Sequence, residues 1–350
     1  MPLDTASFGF PVELSQISGR LKKLWETEGQ TKSRASILNL AVIGPSPDTL
    51  LENTQLVAQL VREHACRAFV VGLAPGPAPK ISAWIQAHCH LTKAGAREVC
   101  SEQITLLAEG CSEEAYAHAL LAHLDYDLPL TLWWQGELPE HPASALWSAT
   151  HRLIFDSRLW NDFAAQLTAL HRTRAPAARG MVWADLNWTR TLAMRQALAQ
   201  CFDSPDCLPH LDRIESVQIR HAPGSRSTAI LLASWLAAQM HWVPVSSTST
   251  HLVFQTRSGL LRCDLESAGT PALSEVTIKA PHLRVRLTHP SEAALLHASL
   301  EFQEHAPRHA AFSAGPADTL GLLSAEMIPG SRHALYLRAL SLAQSLPKPH

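Results

Sequence analysis

The 350-residue sequence contains neither G-x-G-x-x-G nor G-x-x-x-x-G-K-[ST], so it lacks both loops that cradle phosphates on consecutive backbone N–H groups. No C-x-x-C, H-E-x-x-H or G-x-S-x-G occurs either, which removes the compact signatures of zinc ribbons, zinc proteases and nucleophile elbows. Charge is sparse and balanced, with 29 basic against 31 acidic side chains. Its longest basic cluster is Arg20-Leu21-Lys22-Lys23, and nucleic-acid binding needs far more clustered positive charge. Long apolar runs are missing too. The longest, residues 228–240, is broken by Ser234 and Gln239 and is too short to span a bilayer. The opening MPLDTASFGFPVELS has no basic region leading into an apolar stretch, so it does not read as a secretory signal. A cytoplasmic protein with neither a nucleic-acid nor a membrane partner is expected.

Cysteine is scarce and odd in number, seven residues in all, and no disulfide framework is expected. Cys100 and Cys263 fall in strand-like runs and read as small buried hydrophobes. Cys201 and Cys207 flank a short loop and lie within potential disulfide reach. Nineteen histidines invite a metal site, yet their spacing does not support one. His88 and His90 share a strand face with nothing obvious to complete a ligand set, and Pro307 disfavours the helix that would align His305 with His309. No metal and no cofactor is expected.

What is present is an ordinary globular composition, 46% hydrophobic, in a chain long enough for two domains. Residues 1–30 carry an amphipathic helix with Val12, Leu14, Ile17, Leu21 and Leu24 on one face. Residues 31–175 then alternate apolar strands (37–43, 68–73) with helices (49–64, 112–124), the pattern of a parallel sheet covered on both faces. This predicts an α/β, Rossmann-like domain whose first loops, GPSPD and APGPAPK, put prolines where a dinucleotide fold has N–H donors. The boundary falls at 173–180. Residues 176–350 predict an α+β domain with an antiparallel sheet: Asp185 caps a helix running to about Phe202, residues 228–240 form a core helix, and short strands follow at 251–256, 260–265, 275–279 and 283–287. Residues 303–318 read as loop, and a last helix spans about 332–346.

Two stretches stand out as candidate sites. Residues 128–157 predict strand, helix, strand as a right-handed parallel crossover; Trp133 and Trp134 end the first strand, and Arg152 and Asp156 bracket the second. Strand ends in such sheets carry function, although a Trp pair serves equally well as core packing. The loop 221–228 joins a strand to a helix and offers Gly224, Ser225, Arg226 and Ser227 to an anion such as a sugar phosphate, or simply caps the helix through Ser227. In the helix after Asp185, Arg190 and Arg195 lie about 140° apart and cannot both face one small ligand.

Taken together, the residues resemble the glucose-6-phosphate dehydrogenase assembly protein (OpcA) family over most of the chain. The resemblance rests on Arg34, Asn39 and Leu40 around the first strand, His64 and Arg67 before the second, and Cys100-Ser101-Glu102-Gln103-Ile104. It continues through the Leu-Pro, Leu-Trp-Trp and Gly of 128–136, Arg152 through Asp156-Ser157, Asp185-Leu-Asn-Trp-Thr-Arg190, Trp235-Leu236 with Trp242, and a Leu-Leu-x-x-Glu ending at Glu326. The chain departs from the family pattern at Ala65-Cys66, His151 and Met194.

The resemblance implies a non-enzymatic partner of glucose-6-phosphate dehydrogenase, acting in the pentose phosphate pathway, that favours the active oligomer of the enzyme and raises its activity. In cyanobacterial members this is tied to thioredoxin-dependent redox control. Exposed Trp and Arg anchor protein interfaces, so the expected partner contacts are Trp133, Trp134, Arg152, Asp156, Asp185, Trp188 and Arg190; the same seven side chains are alternatively buried supports. The alternative function is an enzyme, a sugar-phosphate lactonase or isomerase, that uses the 221–228 loop.

Overall fold

A computed structural model describes residues 5–27, 32–34, 36–91, 98–173, 180–291, 293–328 and 334–347, so most of the 173–180 boundary expected from sequence lies outside it. The chain forms two units: Met1–Asp156 with Trp160–Ala184 and Leu323–Ser331, and Ser157–Leu159 with Asp185–Leu322 and Arg332–His350.

In the first unit the elements run β1 (Phe10–Val12), α1 (Ile17–Thr27), β2 (Lys32–Arg34), β3 (Leu38–Gly44), α2 (Thr49–Leu60), β4 (Cys66–Ala74), β5 (Lys80–Leu91), β6 (Glu98–Glu109), α3 (Glu113–Leu121), β7 (Leu130–Trp134), α4 (Ser144–Ala149), β8 (Thr150–Phe155), α5 (Phe163–Arg172) and β9 (Val182–Asp185). They build a sheet of order β1-β5-β6-β4-β3-β7-β8-β9, with β2 beside β6. The central pairs β6/β4, β4/β3, β3/β7 and β7/β8 are parallel, while β5 and β1 are antiparallel additions at one edge. Pro11 sits on the edge strand, where a missing N–H costs no ladder bond. All of β3 and β7 is buried, as continuous apolar strands covered on both faces must be. Helix α2 lies so close to β4 that a Cβ on Gly72 would come within 2.6 Å of the Leu50 side chain. The strand, helix, strand unit of 128–157 is β7, α4, β8, paired in parallel as expected.

The second unit adds α6 (Leu186–Arg190), α7 (Leu192–Phe202), β10 (Ser216–His221), α8 (Arg226–Met240), β11 (Val243–Ser247), β12 (His251–Thr256), β13 (Gly259–Ser267), β14 (Leu273–Ala280), β15 (Leu283–Thr288), β16 (Leu295–Phe302) and β17 (Arg308–Ser313), then α9 (Thr319–Met327), whose last residues belong to the first unit, and α10 (Ala334–Ser345). Its eight strands order as β11-β12-β13-β10-β14-β15-β16-β17. This sheet is mixed, not antiparallel as the sequence suggested, because β10 pairs in parallel with β13. The chain leaves β10 through α8 and returns in β11 at the edge, and the antiparallel pairs β11/β12 and β12/β13 then bring β13 alongside β10 in the same direction. Residues 303–318 also differ from expectation: Arg308–Ser313 pairs antiparallel with β16 as the edge strand β17. Its residues are almost all exposed, so no apolar alternation announces it.

Helix α8 is the buried core helix expected, with every residue from Thr228 to Ala237 inside, and α10 packs along it. The opposite sheet face carries charges at period-two positions: Arg220 pairs with Glu266 (2.9 Å), Arg286 with Glu275 (2.8 Å) and Arg262 with Asp264 (2.6 Å). Burial pushes the Glu275 carboxyl up, but its Arg286 and Thr277 hydrogen bonds and the Arg286 and Arg220 charges together hold it below its ordinary value. A depressed folded-state value means that this contribution is present at neutral pH and is lost as pH falls through it.

One disulfide corrects the reading of Cys100. Cys89 and Cys100 face each other across β5 and β6, with Cα atoms 4.1 Å apart, and are bonded. Cys201 and Cys207 are buried and unbridged, as are Cys66 and Cys263, whereas Cys111 is partly exposed. Burial pushes the Cys66 thiol up to about 12; burial, reinforced by Cys207, pushes Cys201 up to about 11. The thiolate is the reactive form. Brief iodoacetamide treatment of the native protein at pH 8 is therefore expected to alkylate Cys111 ahead of the other four, read by peptide mass spectrometry. Comparable labelling of Cys66 or Cys263 would contradict their burial.

Candidate functional site

Five of the seven side chains expected at a partner surface lie inside the fold. Trp133 and Trp134 are buried on β7, one on each face of a strand with neighbours on both sides. The Trp134 indole donates to Glu137 O (2.8 Å) and packs on Trp147 at 5.4 Å between ring centroids. Trp147 is held in turn by Glu113 Oε1 (2.7 Å), which also accepts from Ala143 N and so fixes the start of α4. Arg152 is buried on β8 and meets Glu326 of α9 at 3.3 Å, both within the first unit. The arginine after β7 and the late Leu-Leu-x-x-Glu are thus two halves of one buried ion pair. Asp156 is half-buried at the end of β8.

Asp185 is 1% exposed. It caps α6 as expected, accepting from Asn187 N (2.9 Å). It also accepts from Ser157 N (3.0 Å), Ser157 Oγ (2.7 Å) and Tyr336 OH (3.2 Å). Asn187 extends the network, donating to Ser157 Oγ and Ser227 Oγ and accepting from Thr228 Oγ1 (2.6 Å). The helix breaks at Thr191 instead of running unbroken to Phe202, because the Thr191 hydroxyl donates back to Trp188 O (2.8 Å). Trp188 is buried and stacked under Arg195, whose guanidinium lies 3.5 Å from the ring centroid. Burial brings the Arg195 guanidinium down to about 9. Arg190, half-buried, faces elsewhere and donates to Asn187 Oδ1 (3.4 Å), which agrees with the separation of the two arginines read from sequence. Tyr336 was not singled out from the sequence, and Ser157, Asn187 and Arg195 were noted there without a role in this network. A polar cluster drawn from four chain segments shows in sequence only as isolated hydrophilic residues inside apolar surroundings.

The 221–228 loop does join β10 to α8, with Gly224 at φ +75°, a left-handed value that glycine adopts without strain. Its polar groups are spent within the protein. Arg226 donates to Ser249 O (3.0 Å) and Thr248 O (2.6 Å), Ser227 accepts from Asn187, and Ser225 is buried. No side-chain cap bond forms at the start of α8, so the Ser227 cap does not form either.

In the first sheet the chain direction of strand addition reverses between β3 and β7, and in open α/β sheets ligands enter at the carboxyl ends of such strands. Here the side chains at that place bond one another. Gln135, directly after β7, and Asn53 of α2 exchange two amide hydrogen bonds of 2.7 and 3.0 Å. Gly44, at the end of β3, faces Thr49 so closely that a Cβ would come 2.0 Å from Thr49 Oγ1, and that hydroxyl closes the loop on Ser46 O (2.7 Å). At the other end of β3, Asn39 is a splint, donating to Asp125 O and Leu128 O and accepting from Asp125 N. Arg67, half-buried, pairs with the buried Glu102 (2.7 Å) and donates to His123 O. His88 bonds Gln103 (2.8 Å).

These features define an α/β protein of two mixed sheets whose signature residues build internal networks. Residues 57–172 match the glucose-6-phosphate dehydrogenase subunit N-terminal domain, and residues 181–339 match the C-terminal domain of the same subunit. The chain belongs to this family, the OpcA glucose-6-phosphate dehydrogenase assembly proteins. It is 26% identical over 248 residues to the "Putative OxPP cycle protein OpcA" of Nostoc punctiforme, covering 67% of this chain and 52% of that one. The Synechococcus elongatus protein of the same name is 28% identical over 247 residues, covering 68% and 52%. The chain thus spans about half the length of the curated relatives it matches. Among solved structures, the probable oxidoreductase yhhX aligns with a TM-score of 0.49 at 9% identity, covering 90% of this chain and 98% of that one. No helix among the described residues is long and apolar enough to cross a membrane.

Proposed function

We propose that the protein is a non-enzymatic assembly factor and allosteric activator of glucose-6-phosphate dehydrogenase in the cytoplasm, serving the pentose phosphate pathway. The observation that carries this reading is the family match over both units, 57–172 and 181–339. The first unit is compatible with it: at the carboxyl ends of β3 and β7 the Asn53 and Gln135 side chains bond each other and Gly44 lies close against Thr49. Such a protein acts by binding the assembled dehydrogenase more tightly than its dissociated form, which shifts the population toward the active oligomer. Of the seven residues expected at the partner surface, Asp156 and Arg190 retain exposed area, and the other five are buried.

Adding the protein to glucose-6-phosphate dehydrogenase of the same organism is expected to raise the rate saturably, by about 5-fold or more for a coupling of ordinary size. The protein alone is expected to turn over neither glucose 6-phosphate nor 6-phosphogluconolactone. No activation, together with turnover by the protein alone, would overturn the reading.

A further inference from the structure

The edge strands of the two sheets are not protected alike. β1 and β2 are three residues long, with Pro11 in β1; β9 has four residues and is almost wholly buried; β11 carries Pro244 and a register shift beside it. Short strands, prolines and bulges are the devices that stop an edge from pairing with another chain. β17 is six residues long, with no proline and no register shift against β16. One bond fixes its backbone orientation. Ala314 N donates to Ala294 O (2.9 Å), one step beyond the Leu295–Ser313 pair. Bonded and unbonded pairs alternate along an antiparallel ladder, so Ala310 and Phe312 turn their N–H and C=O groups to β16. His309, Ala311 and Ser313 turn theirs outward, and no backbone group of another described segment bonds them.

We propose that β17 is an interface with a second copy of this chain, the two β17 strands pairing antiparallel across a twofold axis so that two eight-stranded sheets run on as one. The strand is self-complementary in one register. With Ala311 on the axis facing its own copy, His309 faces Ser313 of the second copy and Ser313 faces its His309. Each of these three pairs exchanges two N–H···O bonds, which uses every outward group. Centring on Ala310 would set Ser313 against Pro307, which has no N–H, and centring on Phe312 would carry His309 past the strand end. The side chains agree. Ala310 and Phe312 lie on the core side, opposite the buried Ala298 and Leu296, so the half-buried Phe312 covers Ala310 of the second copy. Alanine meets alanine at the axis on the other face, and no like charges stand opposite. Arg308 is held by Asp206 (2.6 Å). A pairing of this kind is isologous and closes at two copies, which selects a second copy over an unrelated strand. The interface stands independently of the assembly role.

The test is sedimentation velocity on the full chain over about 1 to 100 µM, the range in which contacts of modest affinity form. The mass should rise with concentration from that of one chain to that of two. Ala311→Pro removes an outward N–H without touching the bonds to β16, and it should weaken association at least 10-fold while the melting temperature stays within about 4 °C. Ala311→Lys keeps the N–H but sets like charges opposite across the axis, and it should weaken association as well. Arg257→Lys, at an exposed turn, should leave it unchanged. Amide hydrogen exchange on the unmutated protein gives a second measure free of folding effects: the His309, Ala311 and Ser313 amides should exchange at least 10-fold more slowly at the high concentration than at the low one. A single-chain mass at every concentration overturns the proposal. So does a dimer that both Ala311 variants leave intact, or one that forms without slowing exchange in β17.

Discussion

Asp185→Ala is expected to destabilise the second unit by about 4 kcal/mol, among the largest effects a single substitution produces. The carboxylate is 1% exposed, and its removal strands the Ser157 and Asn187 N–H groups, the Ser157 hydroxyl and the Tyr336 phenol without their acceptor. Each buried donor left unpaired costs about 1–3 kcal/mol, and partial relaxation keeps the total below the sum. For a unit of this size the melting temperature should fall by about 10 °C, read by calorimetry. Asp185→Asn keeps the shape but replaces one acceptor oxygen with an NH2 facing donors, and a loss about half as large is expected. An unchanged melting temperature for Asp185→Ala would mean that the network adds nothing to stability.

The second large effect concerns Arg152 and Glu326. Glu326→Ala leaves the Arg152 guanidinium buried beside an emptied site, and breaking a buried pair from one side costs about 3–5 kcal/mol. Arg152→Met combined with Glu326→Leu removes both charges together and fills the volume. Replacing a buried pair by apolar groups is often neutral or better, so the double variant should be more stable than Glu326→Ala. Denaturation midpoints of the single and double variants decide the matter. A double variant no more stable than the single would show that the cost lies in packing and not in an uncompensated charge.

The parts of the fold legible in sequence are those where one physical signal dominates. Continuous apolar runs located β3, β4 and β7, and the Asp185 cap marked the start of a helix to within its own turn. The prolines in GPSPD argue against a phosphate cradle, and in the structure Thr49 bonds Ser46 O in that loop while Asn53 bonds Gln135. What escaped sequence reasoning depends on long-range pairing. The direction of β13 relative to β10 is set by the crossover through α8 into β11 and the two antiparallel reversals after it, not by any residue in either strand. The Cys89–Cys100 bond depends on strand register across β5 and β6. The edge strand β17 buries almost nothing, so its composition matches a loop.

The expected partner residues show the limit most plainly. Tryptophan and arginine mark both interfaces and cores, and the sequence around Trp133, Arg152 and Trp188 carries no sign of which applies. Their burial depends on β3 and β8 flanking β7, on Glu326 arriving at Arg152, and on Arg195 stacking over Trp188. These residues thus hold the fold in place from within.

The most direct measurement is the oligomer distribution of glucose-6-phosphate dehydrogenase, followed by mass photometry at nanomolar concentration as this protein is added. The account predicts that the dissociated enzyme declines and the higher oligomer, carrying the added mass of this protein, rises in step with activity. A distribution unchanged at saturating protein, or activation without complex formation, would contradict it.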